Sequence, residues 1–426
     1  MAPSVAAYDF VGDFTQTTAT ESSRIRWDAG TEFTADDMLL MFFHFNFKNV
    51  PNGKGAVTEL DLDAANTGPN SSAESRYDWS ERAEGSSGYL MKHGGKFFSQ
   101  AINSYVDLLT HSETAAGDAD WVNMGGLAIN VQDIASDATQ FVRASVTHTG
   151  AVSTSTGTDL ETVSITPNEA GEKWLIVGHT TFRVGSNETI TSNLLDADNS
   201  VLQTYTFHQY TTVGTDDYTT IPHLYVWTAP DTNAAEIAIE GVGVGTVEKF
   251  VSHLTAVRLD SLSNNWASAR PSDYTTVSGT AEEAVTGASL ALTGAGNDVV
   301  LLGIAANTPA TVQDGMNMWM SDDDNVSTIP ATYTTWNNSD NLMNPHRGDG
   351  GGANKTPVVY VARDAAVSGA TTYKLYQTGE VTAAVMEDID IIAIEMDGGD
   401  GGPASAGGYN AQKSHGNAGR MIVAGA

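Results

Sequence analysis

Cysteine is absent from all 426 residues, which excludes disulfides, thiolate metal sites and thiol nucleophiles. Positive charge is scarce: Lys and Arg total 20 against 52 Asp and Glu, a formal net charge of −32. Nucleic acid and anionic membranes both select for basic surface, so neither is expected as a partner. No apolar run approaches the roughly 20 residues of a membrane-spanning helix. The opening MAPSVAAYDF has no basic stretch followed by an apolar one, so no secretory signal is expected and the cytoplasm is the expected place of synthesis. Helical periodicity is also scarce. SETAAGDA at 112–119 is the one weak helical candidate, and FTADDMLL at 33–40 fits a short turn before a strand.

What is there reads as β-structure. Hydrophobic residues make up 41% of the chain, enough for globular folding, and the length calls for two to four domains. Short apolar runs rich in branched and aromatic residues alternate with Gly, Asn and Asp clusters. KWLIVGHTTFRV at 173–184, HLYVWTAP at 223–230, EIAIEGVGV at 236–244 and DVVLLGIAAN at 298–307 are examples.

These runs repeat. Leu40 in MLLMFFHFNF, Leu175 in KWLIVGHTTF and Val300 in DVVLLGIAAN occupy one landmark position, which sets Phe43 opposite Gly178 and Gly303. Asp63, Asp196 and Asp322 follow the landmarks by 23, 21 and 22 residues and open DAAN, DADN and DDDN. AINVQ at 128–132, AVRLD at 256–260 and AIEMD at 393–397 follow by 88, 81 and 93. PHLYV at 222–226 pairs with PVVYV at 357–361, where the first unit has YLMKHGGKFF at 89–98. Three ordered landmarks at similar intervals indicate three divergent copies of one domain, expected over 1–138, 139–268 and 269–397, with an extended Gly-rich arm at 398–426.

The D-x-x-N element has the look of a calcium loop. Counted from Asp196, however, positions six and twelve are Val201 and Phe207, where such a loop needs Gly and a bidentate Glu. Asp and Asn also suit hairpin turns, because they hydrogen-bond their own backbone and tolerate left-handed conformations. A structural turn is therefore the reading. The candidates for calcium are Asp322, Asp323 and Asp324, whose adjacent carboxylates repel one another unless screened. No other metal and no cofactor is expected.

Each copy offers about eight short strands without helices between them, which predicts an all-β chain of three tandem antiparallel β-sandwiches, jelly-roll-like. The closing strands alternate: Ile129 and Val131, Val257 and Leu259, and Ile394 and Met396 face inward, with Asn130, Arg258 and Glu395 outward. Phe43 in place of Gly requires a differently packed first core. Apolar residues of both parities at Phe42, Phe43, Phe45 and Phe47 imply burial on both faces, so Phe43, Phe45 and Phe47 are candidates for contact with a neighbouring subunit in a homo-oligomer, a trimer.

A W-L-I-V-G strand, a D-x-x-N hairpin and a closing A-[VI]-x-[LM]-D strand resemble the β-sandwich modules of tailed-bacteriophage virion proteins. They are also similar, more distantly, to trimeric jelly rolls of the tumour-necrosis-factor type. The first copy departs at Phe43 and Gln132. The resemblance covers residues 30–397 as architecture and carries over no catalytic residue. It implies a capsid decoration protein, head fibre or tail appendage that assembles with itself and with capsid or tail subunits. Its place would be the virion, after assembly in the host bacterial cytoplasm.

The arm closes on MIVAGA, and Met421, Ile422 and Val423 are candidates for strand addition to a neighbour. The RGD at 347–349 and the GDGGGANK run lie in loop-like composition. The latter lacks the G-x-x-x-x-G-K-[ST] spacing of a phosphate loop. None of the ten histidines stands in a familiar metal spacing, and His44 and His179 align with Ile304, which favours packing over catalysis. No GxSxG elbow occurs, so no enzyme is expected. The alternative function is a glycan-binding or adhesin-like host-attachment protein, in which Trp79, Trp336 and Tyr333 would stack on a host surface glycan.

Overall fold

The computed structural model describes residues 2–12, 14–16, 22–49, 56–62, 80–81, 92–112, 119–148, 150–152, 156–184, 188–208, 217–245, 247–275, 283–308, 316–322, 355–379 and 385–396, and structural statements refer to these. The first nine strands are β1 (Ser4–Val11), β2 (Phe14–Gln16), β3 (Ser22–Asp28), β4 (Asp37–Asn49), β5 (Ala56–Leu62), β6 (Ser80–Glu81), β7 (Lys92–Ile102), β8 (Tyr105–Ser112) and β9 (Ala119–Asn130). They form one sheet ordered β1-β9-β4-β7, with β2 also on β9, and a second ordered β3-β8-β5-β6. That interleaving of the chain between two antiparallel sheets is a jelly roll.

The next eight strands repeat it. They are β10 (Phe141–Thr147), β11 (Thr158–Ile165), β12 (Lys173–Val184), β13 (Thr189–Leu195), β14 (Val201–His208), β15 (Asp217–Thr228), β16 (Ala235–Val244) and β17 (Glu248–Arg258). Their sheets run β10-β17-β12-β15 and β11-β16-β13-β14, the same order again.

A single helical turn, α1 (Leu259–Leu262), leads to β18 (Trp266–Ala269), β19 (Tyr274–Thr275), β20 (Glu283–Thr308), β21 (Met316–Ser321), β22 (Thr356–Gly379) and β23 (Val385–Glu395). Hydrogen bonding joins these into one sheet, β18-β23-β20-β22-β21, with β19 on β23. The sheet folds over on itself. β20 and β22 pair along most of their length, with one register shift between Ala284 and Ser289 and others between Ala295, Asn297 and Val299. Gly296 and Gly369 there have φ of 98° and 81°, and Ala366 has 55°, conformations that turn both strands through one corner. Leu290 and Leu292 before the corner pack in one core with Leu301 and Ile391 beyond it. Because β18 spans residues 266–269 and pairs with β23, residue 268 lies inside a strand of the third unit.

The repeated landmarks have one meaning in the structure. Leu40 pairs with Ile129, Leu175 with Val257 and Val300 with Ile394. The Pro landmarks are out of step: Pro222 pairs with His179, four residues beyond Leu175, whereas Pro357 pairs with Ala306, six beyond Val300. The shift is an even number, so side-chain direction survives it. FTADDMLL forms the expected turn, with Asp36 at φ 68° just before β4.

Alternation then sorts the core. Leu39, Met41, Phe43 and Phe45 of β4 fill the first sandwich with Trp27, Phe98 and Leu108. Leu40 and Phe42 point the other way and join Leu127, Ile129, Leu175, Val177, Val257, Val300, Leu302, Val359 and Ile394 in one cluster drawn from all three units. The same parity split separates Val358 and Tyr360, inside the third sandwich, from Val359 and Val361, in the shared cluster. The apolar residues of both parities on β4 are thus covered within the chain, one face by its own sandwich and the other by the two companions.

The Phe-for-Gly difference is resolved by exchange across a strand pair. Phe43 sits opposite Gly126, Gly178 opposite Leu254, and Gly303 opposite Ile391. Each pair holds one bulky residue, contributed by β4 in the first sandwich and by the closing strand in the other two.

Candidate functional site

The three sandwiches meet on β7, where Gly95 leaves room for close approach, while its neighbour Gly94 makes room for Phe45 of the first sandwich's own core. A Cβ on Gly95 would lie 2.9 Å from Val359 Cγ2 of the third sandwich and 3.2 Å from Pro222 Cγ of the second. Any side chain there would push these neighbours aside, and this point is the hub of the shared core.

From the hub, β7 runs along the second sandwich. Ser99 Oγ and Thr255 Oγ1 are 2.8 Å apart, and Arg143 donates to the Ser99 carbonyl at 3.0 Å. His179 Nδ1 donates to the Phe97 carbonyl at 3.0 Å, and the His179 ring stacks on His253 with centroids 4.9 Å apart. Burial holds both imidazoles neutral: His179 titrates well below the usual range, and His253 is pushed down to about 3, with Lys96 adding to both shifts.

The seam between the second and third sandwiches has different chemistry. Strand β14 is a sheet edge, and its exposed backbone groups are taken by the third sandwich. Arg270 donates to the Leu202 carbonyl at 2.6 Å, Asp388 accepts from the Thr204 amide at 3.3 Å, and Thr206 donates to the Lys355 carbonyl at 2.8 Å. Capping an edge this way blocks strand-to-strand association at that edge. At the centre Asp390 accepts from Arg270 at 2.7 Å and from Gln203 at 2.7 Å. Burial raises the Asp390 carboxyl to about 7, against the opposing pull of Arg270 and Gln203. The two seams use one structural position. His253 pairs with His179 and Asp390 with Ile304, each four residues along from the landmark pair, where the first sandwich has Gly125 opposite His44.

A second shared position is polar. The alternation of the closing strands is the reverse of the expected one: Ile129, Val257 and Ile394 face the core shared between sandwiches, whereas Asn130, Arg258 and Glu395 pair with Leu39, Trp174 and Val299 on the opposite sheet face, and Glu395 is 3% exposed. All three polar residues reach the stretch that leads into the landmark position. Asn130 donates to Asp37 at 2.7 Å, Arg258 lies 3.8 Å from Glu172, and Glu395 accepts from the Ala295 amide at 2.6 Å and from Asn265. Sequence reading placed these residues outside without finding this lock, because the partner in each copy is of a different type.

The expected site residues fall as follows. Phe43 is fully buried, stacked on Trp27 at 5.3 Å, and Phe45 is 1% exposed in the same core, so neither offers surface to a neighbour. DADN closes the β13–β14 hairpin: Asp196 Oδ1 accepts from the amides of Asp198 and Ser200 at 3.0 and 2.8 Å, and Asn199 takes φ 58°. Those contacts occupy Asp196 as a turn former. Asp322 is exposed at the end of β21, the position equivalent to DADN. The side chain of Phe47, Asp323, Asp324, Met421, Ile422, Val423, Trp79, Trp336, Tyr333 and the RGD tripeptide lie outside the described residues. A cleft of about 330 Å³ opens beside α1, lined by residues including Pro3, Ile134, Gln140, Arg258 and Leu262. No helix among the described residues is long and apolar enough to cross a membrane.

No family model matches this sequence, and no curated protein does. Solved structures align with it only loosely. The VP2 subviral particle of infectious bursal disease virus is 9% identical, over 97% of this chain and 88% of that one, with a TM-score of 0.20. An archaeal virus protein with a triple jelly roll fold and turret assembly is 11% identical over 91% of both chains, at 0.19. The insecticidal delta-endotoxin Cry8Ea1 of Bacillus thuringiensis is 6% identical over 57% of this chain, at 0.19, and the match spans 60% of that protein's length. Superpositions this loose identify neither a family nor an activity.

Proposed function

We propose that the chain is a non-enzymatic structural component of a tailed-bacteriophage virion, decorating or projecting from the capsid or tail and associating with copies of itself. One observation carries the reading: the three jelly rolls bury the outer faces of their landmark sheets in a single core, so the chain is one braced body. The apolar side chains of that cluster hold sheet against sheet. Such a body suits a part that must keep its shape under load. The strand motifs that resemble phage virion modules lie on the landmark and closing strands of this brace, and the DADN hairpin joins β13 to β14 in the second sandwich's other sheet. Self-association as a trimer then falls to surfaces other than Phe43 and Phe45, and the arm carrying Met421, Ile422 and Val423 is the candidate, by strand addition to a neighbour.

The test is immunogold labelling of purified particles with an antibody to this chain. Label at the head or tail is expected, and particles free of the chain would overturn the reading. Truncation after Gly399 is expected to weaken incorporation into the particle or oligomer. Unchanged incorporation and thermal stability would make the arm a passive tail. A glycan array is expected to show no binding, and specific binding would favour a host-attachment role.

A further inference from the structure

The seam between the first two sandwiches holds more than packing. His179 on β12 and His253 on β17 are register partners, stacked at 4.9 Å with ring planes 27° apart. His179 is wholly buried and His253 is 6% exposed. Phe98 of β7 closes over both rings, with centroids 5.8 and 5.3 Å away, and the Lys96 ammonium lies 5.0 Å from the Phe98 ring. Because His179 Nδ1 donates to the Phe97 carbonyl, the neutral ring keeps its lone pair on Nε2, and that buried atom has no hydrogen-bond partner among the described residues. Among the described residues, the charged and titratable groups acting on the two rings, besides the rings themselves, are Lys96 from β7, Arg143 from β10 and His223 from β15. Each of these is a cation or becomes one on protonation.

We propose that this seam is an acid-sensitive joint, in which protonation of the stacked imidazoles loosens β7 from the second sandwich before the sandwiches themselves unfold. A proton added to His179 must sit on Nε2, where no acceptor waits. A second proton on His253 would lie one ring-stack away, with Lys96 and Arg143 already in place. Like charges in a dry seam repel far more strongly than in water. Opening lets both imidazoles into water, where they regain an ordinary value near ~6.5. Each imidazole then favours the open form about tenfold per pH unit below that value, so two give roughly a hundredfold. The other seam responds in the opposite sense. Asp390 holds its proton more tightly when buried, so acid does not weaken the contact with the third sandwich through this group.

Hydrogen exchange of the full chain, corrected for the intrinsic pH dependence of exchange, reads the joint directly. Between about pH 7.5 and about pH 4.5, amides of β7 and the facing parts of β12 and β17 are expected to lose protection at least about tenfold relative to β20 and β23. His179→Asn keeps an amide donor for the Phe97 carbonyl without a titrating ring, and combined with His253→Gln it is expected to abolish the acid response. Should that variant not fold, Lys96→Met serves instead: losing the fixed charge lets the closed seam take up protons more readily, so the response is expected to level off at a higher pH and to be smaller. Unchanged protection of β7 in acid, loss of protection by all strands together, or a response that persists in the folded double variant would each overturn the proposal. So would a folded Lys96→Met variant whose response is undiminished and levels off at the same pH.

Discussion

The exchange of bulk between Phe43 and Gly126 can be tested by rewriting the first sandwich in the manner of the second. Phe43 stacks on Trp27 and lies 6.3 Å from Phe98, fully buried. Phe43→Ala alone removes the ring and leaves a cavity, costing ~3–5 kcal/mol. Gly126→Leu alone forces a side chain into filled space, since a Cβ there would already lie 2.7 Å from Phe43 ring carbons and 2.9 Å from Trp27. Overpacking of that kind costs ~1–3 kcal/mol. If the two changes acted independently, the double variant would lose ~4–8 kcal/mol. The second sandwich shows the complementary arrangement, Gly178 beneath Leu254, as a well-packed solution. The leucine is therefore expected to occupy the space left by the ring, and the double variant to lose only ~2–5 kcal/mol, a favourable coupling of ~2–3 kcal/mol. Urea denaturation of the four proteins under identical conditions measures it. A double variant that loses the full additive sum or more would refute the exchange.

Three further outcomes are expected. Gly95→Ala should lower stability by ~1–3 kcal/mol through contact with Val359 and Pro222, and Val359→Ala should relieve part of that loss; additive thermal shifts would count against a three-way junction. Asp390, raised to about 7 by burial, binds its proton more tightly folded than unfolded, so its contribution is full below the unfolded value and is lost as pH rises to about 7. The stability of the wild type minus that of Asp390→Asn should therefore fall by up to ~1.4 kcal/mol per pH unit between about pH 4 and 7, and a flat difference would contradict the burial argument. Asp196→Ala and Asn199→Ala should each cost ~1 kcal/mol, with Asn199→Gly nearly neutral, and the losses should be the same with calcium or a chelator present; calcium-dependent stability would restore a metal role to the hairpin.

Much of the architecture was legible because strand pairing leaves a one-dimensional trace. Leu40, Leu175 and Val300 recur at set distances from Ile129, Val257 and Ile394 because each pair must meet across adjacent strands. The turn chemistry of DADN was legible for a similar reason: Asp196 and Asn199 act on backbone within four residues of themselves. The apolar faces of β4 were visible too, but what covers them was not. A parity pattern reports that a face is buried and says nothing of which molecule buries it, so contact with a neighbour and contact with Val300 or Val177 look alike in one dimension. The seams were hidden more deeply. His179, Phe98, Gln203 and Asp390 carry ordinary local patterns, and only the docking of finished sandwiches brings them together.

The shared core also has a consequence for how such a chain can change. In a ring of three identical subunits, any substitution at the seam arrives three times and must suit every junction at once. Here the equivalent position is Gly125, His253 and Asp390, free to differ because each is written once. Tethering keeps the partners at high effective concentration while their contacts diverge. Three covalently joined copies can therefore hold together through junctions that respond to different conditions, a freedom that symmetry denies to a homotrimer.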